Sequence, residues 1–168
     1  MIVTRCLTDD EATMRMNIKI QFIGIPLLLT MFLAAVLVMV SASCSRQPSY
    51  TSPPLAGTNA VIDLSGLKLE VPQFYTYNYH NKPISFFVVK LNDKVLAFFD
   101  ACASCYPHKQ GSRYEDGCVT CRQCSMRFPL YKLEKGFGGC YPIKIEGRVE
   151  NGKYLIPVAM IEAAEDKF

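Results

Sequence analysis

The sequence predicts a mainly β domain, preceded by one apolar N-terminal segment that forms a signal or anchor helix. Short runs rich in Val, Ile, Phe and Tyr recur through the second half of the chain, with Asn, Asp, Gly and Pro between them. Only one stretch there, Ala159–Glu165, has helical character, and it is short. Residues 22–40 contain no charged side chain, which separates them from the β-rich part.

The apolar segment has the layout of a secretory signal. Lys19 precedes it, and the small residues Ser41-Ala42-Ser43 lead to Cys44. Acidic residues near Met1 suit a signal badly, so we expect the true start at Met14 or Met16.

Cys44, directly after three small residues, predicts a lipoprotein in which this cysteine becomes the acylated N-terminus. An uncleaved anchor helix is the alternative, because about 20 apolar residues can span a bilayer. Simple secretion is the third interpretation. All three place the domain in the cell envelope, facing outside the cytoplasm.

Composition divides the chain into three regions. Residues 1–43 are a signal peptide or membrane anchor, residues 44–59 are a flexible tether rich in Ser, Pro and Thr, and residues 60–168 form one cysteine-rich domain. The strands expected in this domain alternate or run apolar, with turns at Asn81-Lys82-Pro83 and Asn92-Asp93. They are Ala60–Leu64, Phe74–Tyr79, Ile84–Leu91, Val95–Asp100, Arg127–Leu133 and Tyr154–Val158.

Charge and motif content exclude several functions. The net charge is +3 without a basic run, so nucleic acid is not an expected partner. We find no Ser/His/Asp arrangement, no carboxylate pair for acid–base work and no phosphate-binding glycine loop. The pattern favours a non-catalytic carrier or binding protein over an enzyme, and names no catalytic residue.

Six cysteines lie between residues 102 and 140, and four of them follow the spacing C-x2-C-x15-C-x2-C. These four, the predicted metal ligands, are Cys102, Cys105, Cys121 and Cys124. Two such pairs on two turns suit a tetrahedral metal or a small iron–sulfur cluster. Further ligands or neighbours of the centre are expected among Cys118, Cys140 and His108.

The spacing alone leaves three interpretations open. Structural zinc with four thiolates is the first, and an iron–sulfur cluster is the second. The third is a disulfide-stapled extracellular domain, because thiols outside the cytoplasm tend to oxidise. The paired C-x2-C units count against the third interpretation.

The flanking residues resemble the loops of Rieske proteins. Cys121-Arg-Gln-Cys-Ser-Met-Arg-Phe128 is similar to the second Rieske loop, with cysteine in place of histidine, and Gly138-Gly-Cys-Tyr-Pro142 is similar to the third. The resemblance implies a small Rieske-like β domain with two cysteine-bearing loops at one end. It also implies a [2Fe–2S] cluster on four thiolates, with the backbone of Gly138 and Gly139 close to the sulfurs.

The same stretches, with Ile84-Ser-Phe-Phe-Val-Val-Lys90 and Asp100-Ala-Cys102, also resemble the FtrD-like family of membrane iron–sulfur proteins, from about Val61 to Val158. The resemblance implies a ferredoxin-like role at the membrane, in which the protein accepts electrons when ferrous iron is oxidised for uptake. The implied partner is an iron permease, or a periplasmic redox or iron-binding protein.

Overall fold

The computed structural model describes residues 48–136 and 139–168. The predicted signal or anchor segment, the lipidation candidate Cys44 and Gly138 lie outside the described residues. Within these two ranges, no helix has the length and apolar character needed to cross a bilayer.

The fold is mainly β, as the sequence predicts. Its one α-helix among the described residues, α1, spans Val158–Glu162, and three short 3-10 helices span Tyr106–His108, Leu130–Lys132 and Glu165–Lys167. The strands are β1 Tyr50–Thr51, β2 Leu55–Ala56, β3 Asn59–Asp63, β4 Gln73–Tyr79, β5 Lys82–Lys90, β6 Val95–Cys102, β7 Ser112–Glu115, β8 Cys118–Cys121, β9 Arg127–Pro129, β10 Pro142–Ile145, β11 Arg148–Glu150 and β12 Lys153–Pro157.

A five-stranded sheet with the order β1-β4-β5-β6-β10 forms the centre of the fold. One face, through Phe86 and Val88, packs against side chains of the β11-β12-β3-β2 sheet and of α1. The other face, through Phe87 and Phe98, packs against side chains of the β7-β8-β9 sheet. Because both faces of β5 are covered, its sequence is a continuous apolar run without alternation.

The first hairpin turn lies at His80-Asn81, so the predicted turn at Asn81-Lys82-Pro83 is wrong by one residue. Both turn residues have positive φ, 48° and 62°, as a tight hairpin turn with the twist of the strands requires. Lys82 and Pro83 therefore belong to β5, where they pair with Tyr79 and Asn78.

Two further boundaries differ from the sequence prediction. The strand expected over Arg127–Leu133 ends at Pro129, and Leu130–Lys132 turns into a 3-10 helix because proline has no N–H to extend the ladder. Cys118 begins strand β8, which is not among the strands that the sequence predicts. It follows a turn at Asp116-Gly117 in which both residues have positive φ.

Two short strands lie in the segment for which the sequence predicts a flexible tether. β1 pairs parallel with β4, with Tyr50 opposite Phe74, and β2 pairs with β3. Residues from Tyr50 onward therefore take part in the sheets. The three-region division of the whole chain stays a prediction.

Candidate metal centre

The two C-x2-C pairs lie where strands end. Cys102 is the last residue of β6 and Cys121 is the last residue of β8, so the sheets fix both positions. Cys105 and Cys124 follow after three residues, on tight turns. The N–H of Cys105 donates to the carbonyl of Cys102 at 3.1 Å, and the N–H of Ser125 donates to that of Cys121 at 2.9 Å.

Four sulfurs form one group. The Sγ atoms of Cys105, Cys121, Cys124 and Cys140 all lie within 4.8 Å of one another. The Sγ atoms of Cys124 and Cys140 are 3.8 Å apart. All six cysteines of the described residues are free thiols.

Cys102 lies beside this group rather than within it. Its thiol neighbours the thiols of Cys121 and Cys140. Five sulfurs therefore lie near one another, and the group within 4.8 Å contains Cys140 and not Cys102.

The loop that carries Cys140 is tied to the loop of the first pair. The N–H of Ala103 donates to the carbonyl of Tyr141 at 3.0 Å, and the hydroxyl of Ser104 donates to the carbonyl of Gly139 at 2.6 Å. These contacts place Gly139 next to the first cysteine loop.

Two of the candidates do not join the group. His108 ends the 3-10 helix Tyr106–His108 as an exposed residue. Cys118 stands at the opposite end of β8 from Cys121, paired with Glu115 and Pro129.

The sulfurs differ in burial and in proton affinity. Cys102, Cys121 and Cys140 are buried, whereas Cys124 is exposed. Burial raises the pKa of Cys102, and the neighbouring Cys121 and Cys140 add to this. Burial and the hydrogen bonds to Cys124 and Cys121 raise the pKa of Cys105 to about 12.

Cys124 differs from Cys102 and Cys105, because its pKa is lowered and theirs are raised. The protein atoms around the sulfur displace some of its water, which opposes ionisation. The N–H of Met126 and the neighbouring thiols donate hydrogen bonds to its sulfur and outweigh that effect, so the pKa of Cys124 lies below the ordinary thiol value. A thiolate is the form that binds metal.

A buried carboxylate joins the two cysteine-bearing sheets. Asp100, two residues before Cys102, accepts hydrogen bonds from the backbone N–H of Ser112 at 2.7 Å and from the Ser112 hydroxyl. It also accepts one from the hydroxyl of Tyr50 at 2.5 Å. Ser112 pairs with Cys121 across β7 and β8, so Asp100 connects the ends of both ligand strands.

A cleft of ≈ 490 Å³ lies beside the sulfurs, with Cys102, Cys105 and Cys121 in its wall. Its lysines already have partners: Lys82 contacts Glu165, Lys109 donates to the carbonyl of Phe168, and Lys167 donates to Asp166. The guanidinium of Arg122 also lines the cleft, but its Nε and Nη2 are shielded from water and have no acceptor.

The donor set fits a thiolate-bound metal. Around one tetrahedral ion with metal–sulfur bonds of about 2.3 Å, two thiolates lie about 3.8 Å apart. The Cys124–Cys140 separation has this value. Soft thiolates select zinc, copper(I) and iron–sulfur clusters over hard cations such as Ca²⁺ or Mg²⁺.

Sequence reasoning missed two features of the site. It treated Cys140 only as a possible addition, because spacing along the chain carries no information on a contact between distant loops. It also missed the bond between Asp100 and Ser112. The sequence signal for this bond was Asp100 itself, a carboxylate at the end of a β-rich run and two residues before a cysteine pair. A buried carboxylate requires hydrogen-bond partners.

The fold and the sulfur group define a small β domain with a thiol-rich metal centre. A family model described as "Membrane iron-sulfur containing protein FtrD-like" matches residues 68–168. Because the match covers more than half of the chain, the protein belongs to the FtrD-like family of membrane iron–sulfur proteins, as the cysteine motifs predict. No curated protein and no solved structure matches the chain. The finer resemblance to Rieske loops stays a prediction.

Proposed function

We propose that the protein is a membrane-anchored electron carrier for ferrous-iron uptake, with its β domain outside the cytoplasm. One observation carries the proposal: four thiols converge within 4.8 Å in a member of a membrane iron–sulfur family. A [2Fe–2S] cluster bound here would supply one-electron redox chemistry at low potential, because no imidazole is among the proposed ligands. The chain itself would hold the cluster, shield it and present it to a partner.

We propose Cys105, Cys121, Cys124 and Cys140 as the ligands, with Cys102 in contact beside them. The spacing of the sequence predicts Cys102 in place of Cys140. Three members are common to both sets. The mutual distances of the sulfurs support Cys140, and the burial of Cys102 among Cys121 and Cys140 supports a neighbouring role for it.

Membrane attachment through acylated Cys44, or through an uncleaved apolar segment, belongs to the same proposal. Mass spectrometry of protein isolated from membranes distinguishes the two, because only the lipoprotein begins at Cys44 and carries acyl chains. The proposed partner is an iron permease, or a redox or iron-binding protein of the envelope.

Metal and sulfide analysis of protein purified without oxygen tests the function. We expect a brown protein with iron and acid-labile sulfide in nearly equal amounts, and an absorption band that bleaches on reduction. Zinc without sulfide would end the electron-carrier proposal.

A structural zinc site is the second candidate, because four sulfurs that are all within 4.8 Å of one another suit a single tetrahedral ion. It predicts a colourless protein that loses its fold with a chelator and has no redox signal. The third candidate, a disulfide-stapled domain, predicts no free domain thiol when the denatured protein is titrated with a thiol reagent.

A further inference from the structure

A second cleft, of ≈ 440 Å³, opens where the chain enters the β domain. Pro48 and Thr51 form part of its wall. Strand β1 fixes this entry point, because Tyr50 pairs with Phe74 of β4 and its ring packs edge-on against the Phe74 ring. We call this cleft the entry cleft.

Two exposed apolar side chains lie at the entry cleft. Val71 lines the cleft and is 39% exposed, and Leu69, two residues earlier, is 49% exposed. Single exposed apolar residues are common on protein surfaces, whereas neighbouring ones beside a cleft form a patch that can bind a partner. We call Leu69 and Val71, together with the entry cleft, the entry face.

The loop that carries these two side chains is bonded to the domain. The N–H of Glu70 donates to the carbonyl of Lys90 at 2.9 Å, and the carbonyl of Glu70 accepts from the hydroxyl of Tyr114 at 2.8 Å. Glu70 has a φ of 58°, which is uncommon for a residue with a side chain. Such a backbone persists where its surroundings hold it, so Leu69 and Val71 are kept in fixed, exposed positions.

The length of the chain keeps the entry face close to a membrane attachment. Only residues 45–47 separate Pro48 from Cys44. An extended chain spans at most about 3.5 Å per residue, so Pro48 lies within about 14 Å of an acylated Cys44. If the apolar segment is an uncleaved anchor that ends at Val40, the same limit is about 28 Å.

The charges of the entry face favour an apolar contact. Lys68 and Glu70, on either side of Leu69, are both exposed and have opposite signs. Attraction to anionic headgroups requires an excess of Lys or Arg, which this face lacks. Burial of Leu69 and Val71 at the boundary between headgroups and acyl chains requires no such excess.

We propose that the entry face rests on the bilayer to which the chain is attached, with Leu69 and Val71 inserted at the boundary between headgroups and acyl chains. This rests on the membrane attachment in the proposed function. The entry cleft and the cleft beside the sulfurs share no lining residue. Contact with the bilayer therefore does not use the wall that contains Cys102, Cys105 and Cys121.

Quenching of a single tryptophan by lipid tests the contact. The chain contains no tryptophan, so Val71→Trp places one fluorophore on the entry face. Val149→Trp is the matched control, because Val149 is 57% exposed on β11 and does not line the entry cleft. The sheet that contains β11 also packs on the opposite face of the central sheet from Tyr114 of the entry cleft.

The full chain, metal-loaded, is placed in nanodiscs of phosphatidylcholine with either brominated or unmodified acyl chains, at one chain per disc. We expect bromine to quench Val71→Trp several-fold more strongly than Val149→Trp, because interfacial side chains lie about 5–10 Å into the lipid boundary. The ratio of emission in the two lipids cancels any quenching by the metal centre.

A second set of variants tests a native side chain, because tryptophan itself prefers membrane interfaces. With Leu69→Trp as the reporter, Val71→Asn should lower the quenching by bromine, and Val149→Asn should not. Higher salt or added anionic lipid should leave the quenching unchanged.

Several outcomes would overturn the proposal. They are equal quenching at positions 71 and 149, no effect of Val71→Asn, and quenching that requires anionic lipid. A blue-shifted emission of Val71→Trp without quenching by bromine would show that protein, either this chain or a second copy, covers the face.

Flotation of the full chain with vesicles tests the attachment separately. Protein that floats but is not quenched at position 71 disproves the bilayer contact and leaves the attachment intact. Protein that does not float contradicts both. Iron and sulfide analysis of the same sample shows independently whether the electron-carrier function holds.

Discussion

The carboxylate of Asp100 accepts a 2.7 Å hydrogen bond from the N–H of Ser112, twelve residues further along the chain. This bond joins the strand that ends in Cys102 to the strand that pairs with Cys121. Asp100 is buried at 5% exposure, so the hydrogen bonds it accepts replace those that water cannot make to it.

Asp100→Asn should therefore destabilise the domain and loosen the metal. An amide retains one acceptor oxygen but presents N–H groups to a site built from donors, at a cost of about 1–3 kcal/mol. Thermal unfolding measures the stability of the domain, and the rate of metal transfer to a chelator measures how firmly the cysteines retain the metal. Asp93→Asn, in the exposed turn between β5 and β6, should change neither.

Gly111→Ala tests how closely the backbone approaches this carboxylate. Gly111 has a φ of +66°, and a Cβ there would lie 2.6 Å from Oδ2 of Asp100. We expect backbone strain of about 1–2 kcal/mol and overpacking of about 1–3 kcal/mol. Gly117→Ala is the matched control, because its φ is +71° but nothing lies within 4 Å of the added carbon. Denaturant unfolding should show a larger loss for Gly111→Ala than for Gly117→Ala; equal losses contradict the close contact.

Serine substitutions identify the ligands. Cys105→Ser, Cys121→Ser, Cys124→Ser and Cys140→Ser should each abolish or strongly reduce bound metal, because a serine hydroxyl does not replace a thiolate. Cys102→Ser should retain more metal than Cys140→Ser, and Cys118→Ser should retain all of it. Metal content per chain is the measurement. Greater loss in Cys102→Ser than in Cys140→Ser would favour the ligand set that the spacing predicts.

Tyr75→Phe should reduce the steepness with which the free energy of unfolding falls at alkaline pH. Burial raises the pKa of Tyr75 to about 12 in the folded protein, against about 10 in the unfolded chain. A raised folded pKa favours the neutral form, so the stabilisation is complete below pH 10 and is lost as pH rises from 10 toward 12. One such group contributes a slope of up to about 1.4 kcal/mol per pH unit.

The measurement is the free energy of unfolding from pH 8 to 12 in the wild-type protein and the variant. The difference between them should grow above pH 10. Tyr131→Phe, at a position that is 74% exposed, controls for the substitution itself. Parallel curves for wild type and Tyr75→Phe would show that Tyr75 ionises as freely in the fold as outside it.

The strands that sequence patterns predicted best are those whose burial is continuous. β5 and β6 are long apolar runs. Because the loop at Asn92-Asp93 between them is short, an antiparallel hairpin is the simplest way for the two strands to pair. The sequence analysis did not predict β7, because Ser112–Glu115 mixes polar and aromatic residues and has no strong apolar face. Its strand character comes from pairing with β8, which is a tertiary effect that local propensity does not contain.

The sequence likewise predicted some features of the candidate metal centre and not others. The C-x2-C spacing located both turns, because such turns close over three residues of one segment. The approach of Cys140 depends on β10 pairing with β6, a contact across some forty residues that spacing cannot encode. The turn at His80-Asn81 was misplaced because neither residue is glycine, although both adopt positive φ.

Because the sulfurs come from three separate segments, an unfolded chain cannot present them together. The native state therefore binds metal far more tightly than the denatured ensemble, and free metal above the dissociation constant shifts the unfolding equilibrium by RT ln(1 + [M]/Kd). Thermodynamic linkage thus makes the supply of metal a determinant of how much folded protein persists, whichever metal the cell provides.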